Sequence, residues 1–136
     1  MPPFRYVQAV RFGDVDHAGI VYYPRFFHYC HVAFEELFGA SGYRHLLDER
    51  KIGFPAVHVE FDFSTPLRFG DTIEVSITTA TLGRSSVTFA YEVTRVEDRA
   101  ACARARVTVV AIDMRSFSPL PIPDDLRALF QGLDSG

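Results

Sequence analysis

Between Phe12 and Phe27 the chain reads FGDVDHAGIVYYPRFF, and this stretch holds the residue types best suited to chemistry. Two carboxylates, Asp14 and Asp16, and one imidazole, His17, fall in a turn-forming run closed by Gly19, after which Tyr22 and Tyr23 lead into Pro24. A proline there fits the first turn of a helix, where its missing N–H costs nothing. The first N–H groups of a helix have no partner within it, and the helix dipole adds partial positive charge around them. Such a start welcomes the oxyanion that develops on a carbonyl under attack, and Tyr23, the last residue able to donate before Pro24, is the candidate donor. A carboxylate close by could attack the carbonyl carbon of a thioester or ester, or take a proton from water.

Several other readings of these residues fail. As an EF-hand loop starting at Asp14 the run puts Gly19 in place, but Ala18 is no ligand and Arg25 stands where a bidentate Glu belongs. An aspartyl-phosphate phosphatase would need a parallel sheet that the later segments do not supply. Asp14, Asp16 and His17 lack a further ligand for a transition metal, so no metal site is expected. Gly39-Ala40-Ser41-Gly42 is not a GxSxG elbow, and Cys30 and His31 are helix neighbours that diverge by about 100°. What stays open is that Asp14 and Asp16 only shape a turn and complement the helix dipole.

The elements around this turn follow from periodicity. Tyr6–Phe12 alternates as a strand up to Gly13. Phe26, Phe27, Cys30, Ala33, Phe34, Leu37 and Phe38 recur at helical spacing, which predicts a long helix from about Pro24 to Phe38. A shorter helix is expected over Tyr43–Glu49. Beyond it the pattern is alternation: Val57, Val59, Phe61 and Phe63 share one strand face and His58, Glu60 and Asp62 the other, and 71–81, 87–96 and 101–114 repeat the pattern. Gly83-Arg84-Ser85-Ser86 and Glu97-Asp98-Arg99 are the turns between them. Pro119, Pro121 and Pro123 stop further pairing, and Asp124–Phe130 closes with a small helix. The fold class expected is α+β, an antiparallel sheet of about five strands wrapped around one long central helix. Its unpaired edges favour association with a second copy, so a homodimer or a tetramer is expected.

Composition sets the outer limits. At 136 residues and 15.3 kDa a second independent core would leave both halves too small, so residues 1–136 read as a single domain. With 48% hydrophobic residues, 13 Phe and 6 Tyr the chain can build a core. A net charge of −3 gives no basic field for nucleic acid. No apolar run is long enough to insert in a membrane and the start lacks the pattern of a signal peptide, so a cytoplasmic protein is expected. Cys30 and Cys102 lie far apart and form neither a disulfide framework nor a metal motif.

The segment resembles the signature of the 4-hydroxybenzoyl-CoA thioesterase family of hot-dog proteins, which includes the acyl-CoA thioesterases associated with the Tol-Pal system and reads approximately D-x-D-x-x-G-x-V-Y-Y/H-x-x-Y/F. Asp14, Asp16, Gly19, Val21, Tyr22, Tyr23 and Phe27 supply it in order. The likeness extends to Gly53-Phe54-Pro55, to the strand ending in Phe63, and to the turns Arg68–Asp71 and Gly83–Ser86. The resemblance implies a hot-dog fold and hydrolysis of an acyl-CoA or aroyl-CoA thioester to the free acid and coenzyme A, with no cofactor beyond the coenzyme A of the substrate. It makes Asp16 the catalytic carboxylate, as nucleophile or general base, and the Tyr23 N–H the group that polarises the thioester carbonyl, with Asp14 as support. Arg84, Ser85 and Ser86 match a turn that some members set against coenzyme A phosphates. His17 and Gly19 beside the carboxylate, and His58 across a dimer seam, complete the expected substrate contacts. A second hot-dog arrangement would place the carboxylate on the helix at Glu35 or Glu36, but the intact D-x-D turn favours Asp16. The alternative is a non-catalytic acyl-CoA binding module on the same fold. If Asp16 carries the reaction, Asp16→Asn lowers thioester turnover by a hundredfold or more, on the order expected for loss of a general base or nucleophile; turnover within a few-fold of wild type contradicts the assignment.

Overall fold

A computed structural model describes residues 3–40 and 42–133, so Ser41 of the Gly-Ala-Ser-Gly run lies outside the described residues. Alternation becomes sheet where it was expected. Strands β1 (Phe4–Ala9), β3 (Ala56–Phe63), β4 (Thr72–Leu82), β5 (Ser86–Arg95) and β6 (Ala101–Val110) form one antiparallel sheet in the order β1-β4-β5-β6-β3. Ile73, Val75 and Ile77 of β4 and Val87, Phe89, Tyr91 and Val93 of β5 turn their side chains into the core, and each is at most 3% exposed. Full burial of one such side chain contributes roughly 1.5–3 kcal/mol.

Helix α1 (Pro24–Glu36) buries Phe26, Tyr29, Cys30, Ala33 and Phe34, an i, i+3, i+4, i+7, i+8 stripe, against β4 and β1. The buried stripe contains Tyr29 in place of Phe27, which is 43% exposed. Helix α2 (Gly42–Asp48) lies beside α1, and α3 (Asp124–Gln131) packs on β4. Three helices thus accompany the sheet, with α2 and α3 where the two shorter helices are expected, over Tyr43–Glu49 and Asp124–Phe130. One helix of the length of α1 does not cover the whole sheet. The 13 residues of α1 rise about 20 Å, whereas the 11 residues of β4 extend for roughly 33 Å. The far part of β4 is covered by α3, whose Phe130 carbonyl accepts from Thr79 Oγ1 at 2.6 Å. Phe34, Phe38, Phe54, Phe89 and Phe130 meet at centroid separations of 5.1–6.4 Å, most pairs edge-on, with Phe38 stacked on Phe54 and Phe34 tilted against Phe89, and join α1, α3 and the sheet into one core.

Two boundaries differ from the sequence reading by more than two residues. Strand β1 ends at Ala9, and Phe12 begins a single 3₁₀ turn, Phe12–Asp14, with its ring 76% exposed. The last long segment breaks after Val110; Ile112–Asp113 (β7) leaves the main sheet to pair with Ile52–Gly53 (β2). Strand β3 is an edge of the main sheet, and its Val57, Val59 and Phe63 are 62%, 43% and 46% exposed.

Candidate active site

The turn that precedes α1 is a small hairpin. Val15 and Val21 bridge its two arms, the Asp16 N–H donates to the Ile20 carbonyl at 2.9 Å, and Gly19, at φ +82°, closes the tip with its N–H on the Asp16 carbonyl at 2.9 Å. A residue with a Cβ is strained at that φ, which is the reason for glycine there. Asp16 Oδ1 accepts the Ala18 N–H at 2.8 Å and Asp16 is exposed, with no described residue donating to Oδ2. His17 and Gly19 are exposed beside it.

Asp14 plays a different part. Its Oδ2 accepts the Arg11 N–H at 2.9 Å and the Tyr29 hydroxyl at 2.8 Å. Its carbonyl accepts the Tyr22 N–H at 2.9 Å. Sequence reasoning foresaw a supporting Asp14 but not Tyr29, whose signal is its place on the buried stripe of α1. A second stitch holds the hairpin to the sheet: Ile20 bridges Arg68, the Val21 N–H donates to the Leu67 carbonyl at 2.8 Å, and the Val10 N–H to the Asp71 carbonyl at 2.8 Å.

Tyr23 caps α1 with αR backbone angles, its carbonyl accepting the Phe26 N–H at 3.1 Å. Among the described residues nothing accepts the Tyr23 N–H, and Pro24 has none to offer. The helix start is thus open as a donor, next to a hairpin whose outer carboxylate has a free oxygen. This arrangement can polarise a carbonyl and supply an oxygen nucleophile or a base.

The other expected contacts fall elsewhere in the chain. His58 and Glu60 pair at 2.9 Å on the face of β3 opposite the one that carries Val59 and Phe61. The turn Gly83–Ser86 lies at the Leu82 end of β4, while the Asp16 hairpin lies at its Thr72 end, roughly 30 Å away by strand rise. Arg127 of α3 holds that turn by donating to the Gly83 and Arg84 carbonyls at 2.7 and 3.1 Å, leaving the Arg84 side chain exposed and Ser85 and Ser86 half-buried. One chain therefore does not bring Arg84, Ser85, Ser86 or His58 to Asp16. Among the described residues no group of three or more His, Cys, Asp or Glu is placed to hold a metal, and no helix is long and apolar enough to cross a membrane.

A groove of about 810 Å³ runs between α1 and the inner face of β3 and β6, lined by Phe27, Cys30, Phe34, Phe54, Phe61 and Met114 among others. Phe34 both lines it and packs in the core, while Phe26 and Tyr29 belong to the core alone. Aromatic contacts connect groove and helix start. Phe27 stacks on Phe61 at 4.3 Å, Phe61 on Phe63 at 5.7 Å, and Phe63 meets Tyr23 edge-on at 6.2 Å.

A five-stranded antiparallel sheet over an apolar helix, with a D-x-D hairpin at the helix start, defines a hot-dog thioesterase. The chain belongs to the thioesterase-like superfamily, which it matches over residues 10–130. It is 34% identical to the 1,4-dihydroxy-2-naphthoyl-CoA hydrolase of Nostoc punctiforme over 125 residues, 90% of this chain and 83% of that one. Among solved structures, the 1,4-dihydroxy-2-naphthoyl-CoA thioesterase from Synechocystis superposes with a TM-score of 0.87 at 27% identity, covering 97% of this chain and 98% of that one. A gentisyl-coenzyme A thioesterase superposes with a TM-score of 0.81 at 28% identity, covering 93% and 98%. The protein is a thioester hydrolase. The relatives named here carry naphthoyl and gentisyl substrates in their names, so the narrower likeness to 4-hydroxybenzoyl-CoA thioesterase gives way to the superfamily.

Cys30 lines the groove yet is no competing nucleophile. Burial pushes its thiol up to about 12, which keeps it protonated at neutral pH. Alkylation of Cys30 at pH 8, followed by peptide mass spectrometry, is expected to run at least a hundredfold slower in the native protein than in urea, on the order set by that shift. Equal rates would show the thiol to be accessible and ionised.

Proposed function

We propose that this protein hydrolyses aroyl-CoA thioesters, with a fused-ring acyl group of the 1,4-dihydroxy-2-naphthoyl type as its substrate, and that Asp16 and the Tyr23 N–H carry the reaction. The observation that carries the proposal is the unpartnered Tyr23 N–H at the start of α1, beside a hairpin that presents the free Oδ2 of Asp16. The thioester carbonyl oxygen accepts from Tyr23 and becomes more electrophilic at carbon. Asp16 then either adds through Oδ2, expelling the coenzyme A thiolate and leaving a mixed anhydride that water opens, or takes a proton from a water that attacks the same carbon. In both routes the sulfur leaves with the bonding pair and is protonated to the thiol. The reaction so written requires no metal and no bound cofactor, and coenzyme A enters only as part of the substrate. The apolar, aromatic-lined groove supports a flat, uncharged acyl group, with Tyr43 and His31 at its wall as partners for phenolic hydroxyls. The names of the relatives support the same substrate class.

The working unit we propose is a homodimer joined along β3, an edge of the main sheet on which Val57, Val59 and Phe63 are exposed. Pairing two β3 edges antiparallel puts the Phe63 end of one copy beside the Ala56 end of the other. The partner's hairpin turn corresponding to Gly83–Ser86 then lies at the same end of the double sheet as the Asp16 hairpin. That geometry supports roles for Arg84, Ser85 and Ser86 on coenzyme A phosphates, and for His58 at the seam. A cytoplasmic site of action fits a substrate that carries coenzyme A.

A panel of benzoyl-, 4-hydroxybenzoyl-, 1,4-dihydroxy-2-naphthoyl-, hexanoyl- and palmitoyl-CoA, assayed for free thiol, tests the proposal. The naphthoyl thioester is expected to give the highest kcat/KM, at least tenfold above the aliphatic ones, since contacts of a few apolar groups discriminate by about that factor. Faster turnover of palmitoyl-CoA would contradict the aroyl assignment, and saturable binding without thiol release would contradict hydrolysis.

A further inference from the structure

Tyr29 sits five residues beyond Pro24 on the buried face of α1, 3% exposed, and it bears a hydroxyl that packing alone does not need. A phenylalanine would fill the same space, and an apolar site taxes a hydroxyl unless it is hydrogen-bonded. The hydroxyl donates to Asp14 Oδ2 at 2.8 Å. That same oxygen accepts the Arg11 N–H at 2.9 Å, which closes the turn leading out of β1. The Asp14 carbonyl accepts the Tyr22 N–H at 2.9 Å, fixing the residue just before Tyr23. At the other end, Gln8 Nε2 donates to the Tyr29 carbonyl at 2.9 Å, tying the helix to β1. Through one carboxylate, then, the helix, the strand end and the chain entering the helix are joined at a point two residues from Asp16.

We propose that Tyr29 is a positioning residue for thioester hydrolysis: its hydroxyl, acting through Asp14, sets the separation between the Asp16 carboxylate and the open Tyr23 N–H. The inference deepens the functional reading above and rests on it. Tyr29 touches neither substrate nor reacting atoms. Its hydroxyl stays protonated and available to donate, because burial, first, and the Asp14 carboxylate, second, push its ionisation well above the ordinary phenol range, with Arg25 opposing. The Asp14 carboxylate is thereby held by two donors from different elements, so loss of either lets the hairpin swing relative to the helix. A displacement of the order of 1 Å between reacting groups is enough to slow a reaction by about a hundredfold, while the groove that binds the acyl group contains neither Tyr29 nor Asp14.

The experiment is a steady-state comparison of wild type, Tyr29→Phe, Asp14→Ala and the double variant, with 1,4-dihydroxy-2-naphthoyl-CoA and benzoyl-CoA as probes and thermal unfolding as a folding check. Tyr29→Phe is expected to lower kcat by about tenfold to a hundredfold with KM within about twofold. The double variant is expected to lose little more than Asp14→Ala alone, because both changes cut the same link. Amide hydrogen exchange in residues 12–23 is expected to quicken in Tyr29→Phe while the strands keep their protection, which separates a loosened hairpin from a failing fold. Wild-type kcat in Tyr29→Phe, effects that multiply in the double variant, or a rise in KM alone would overturn the inference while leaving the hydrolase reading intact. Failure of the wild type to release thiol from either probe would overturn both.

Discussion

The arrangement depends on how α1 begins. A helix normally has its first N–H groups taken up by a capping side chain or by water, yet here Tyr23 stands at the cap with no side-chain cap and Pro24 follows without a donor. The chain can afford an uncapped start because Asp14 anchors the residue before it, at Tyr22, and because Val21 and Ile20 are stitched to Leu67 and Arg68. Those bonds go to the residues before Tyr23, and among the described residues none takes the Tyr23 N–H. An open donor is therefore a consequence of where the hydrogen bonds of the neighbouring residues go.

Packing explains why this helix start is fixed relative to the sheet. Phe26 and Tyr29, one turn into α1, are buried and meet edge-on at 6.1 Å, and Phe26 reaches Phe63 at the end of β3 at 5.1 Å. Further along, Phe34 and Phe89 continue the aromatic core to Phe130 on α3. Cys30 and Phe34 of the same buried stripe, with Phe27 beside them, also wall the groove, so the surface that would grip an acyl group and the end that would polarise its carbonyl belong to one helix. The weak place is β3, where apolar side chains and an unpaired strand edge meet solvent together.

Much of this was legible in the sequence, and the misses have physical causes. Strands β3, β4 and β5 declare themselves because β-branched and aromatic residues alternate along them, and β6 through the alternation of small residues with Arg104 and Arg106 before its Val and Thr run. Ile52–Gly53 and Ile112–Asp113 pair over two residues each, too short for any period to register. Phe27 and Tyr29 were exchanged because a hydrophobicity pattern ranks phenylalanine as core and tyrosine as edge, whereas Tyr29 has its hydroxyl satisfied by Asp14 and can sink. Within the candidate site, the D-x-D hairpin and the proline at the helix start were visible in order along the chain. The distance of Arg84, Ser85, Ser86 and His58 from Asp16 was not, because a motif read along the chain carries no information about which end of a strand each turn occupies.

The central claim is that one acyl carbon meets the Asp16 carboxylate and the Tyr23 N–H together, and a crystal structure with a ketone analogue, in which a methylene separates the coenzyme A sulfur from the aroyl carbonyl, tests it directly. The account predicts the ketone oxygen within hydrogen-bond distance of the Tyr23 nitrogen, about 2.7–3.2 Å, an Asp16 oxygen about 3–3.5 Å from the carbonyl carbon or separated from it by one water, and the aryl ring in the groove beside α1. A ketone oxygen bound away from the helix start, with Asp16 facing bulk solvent on the far side of the ligand, would contradict it.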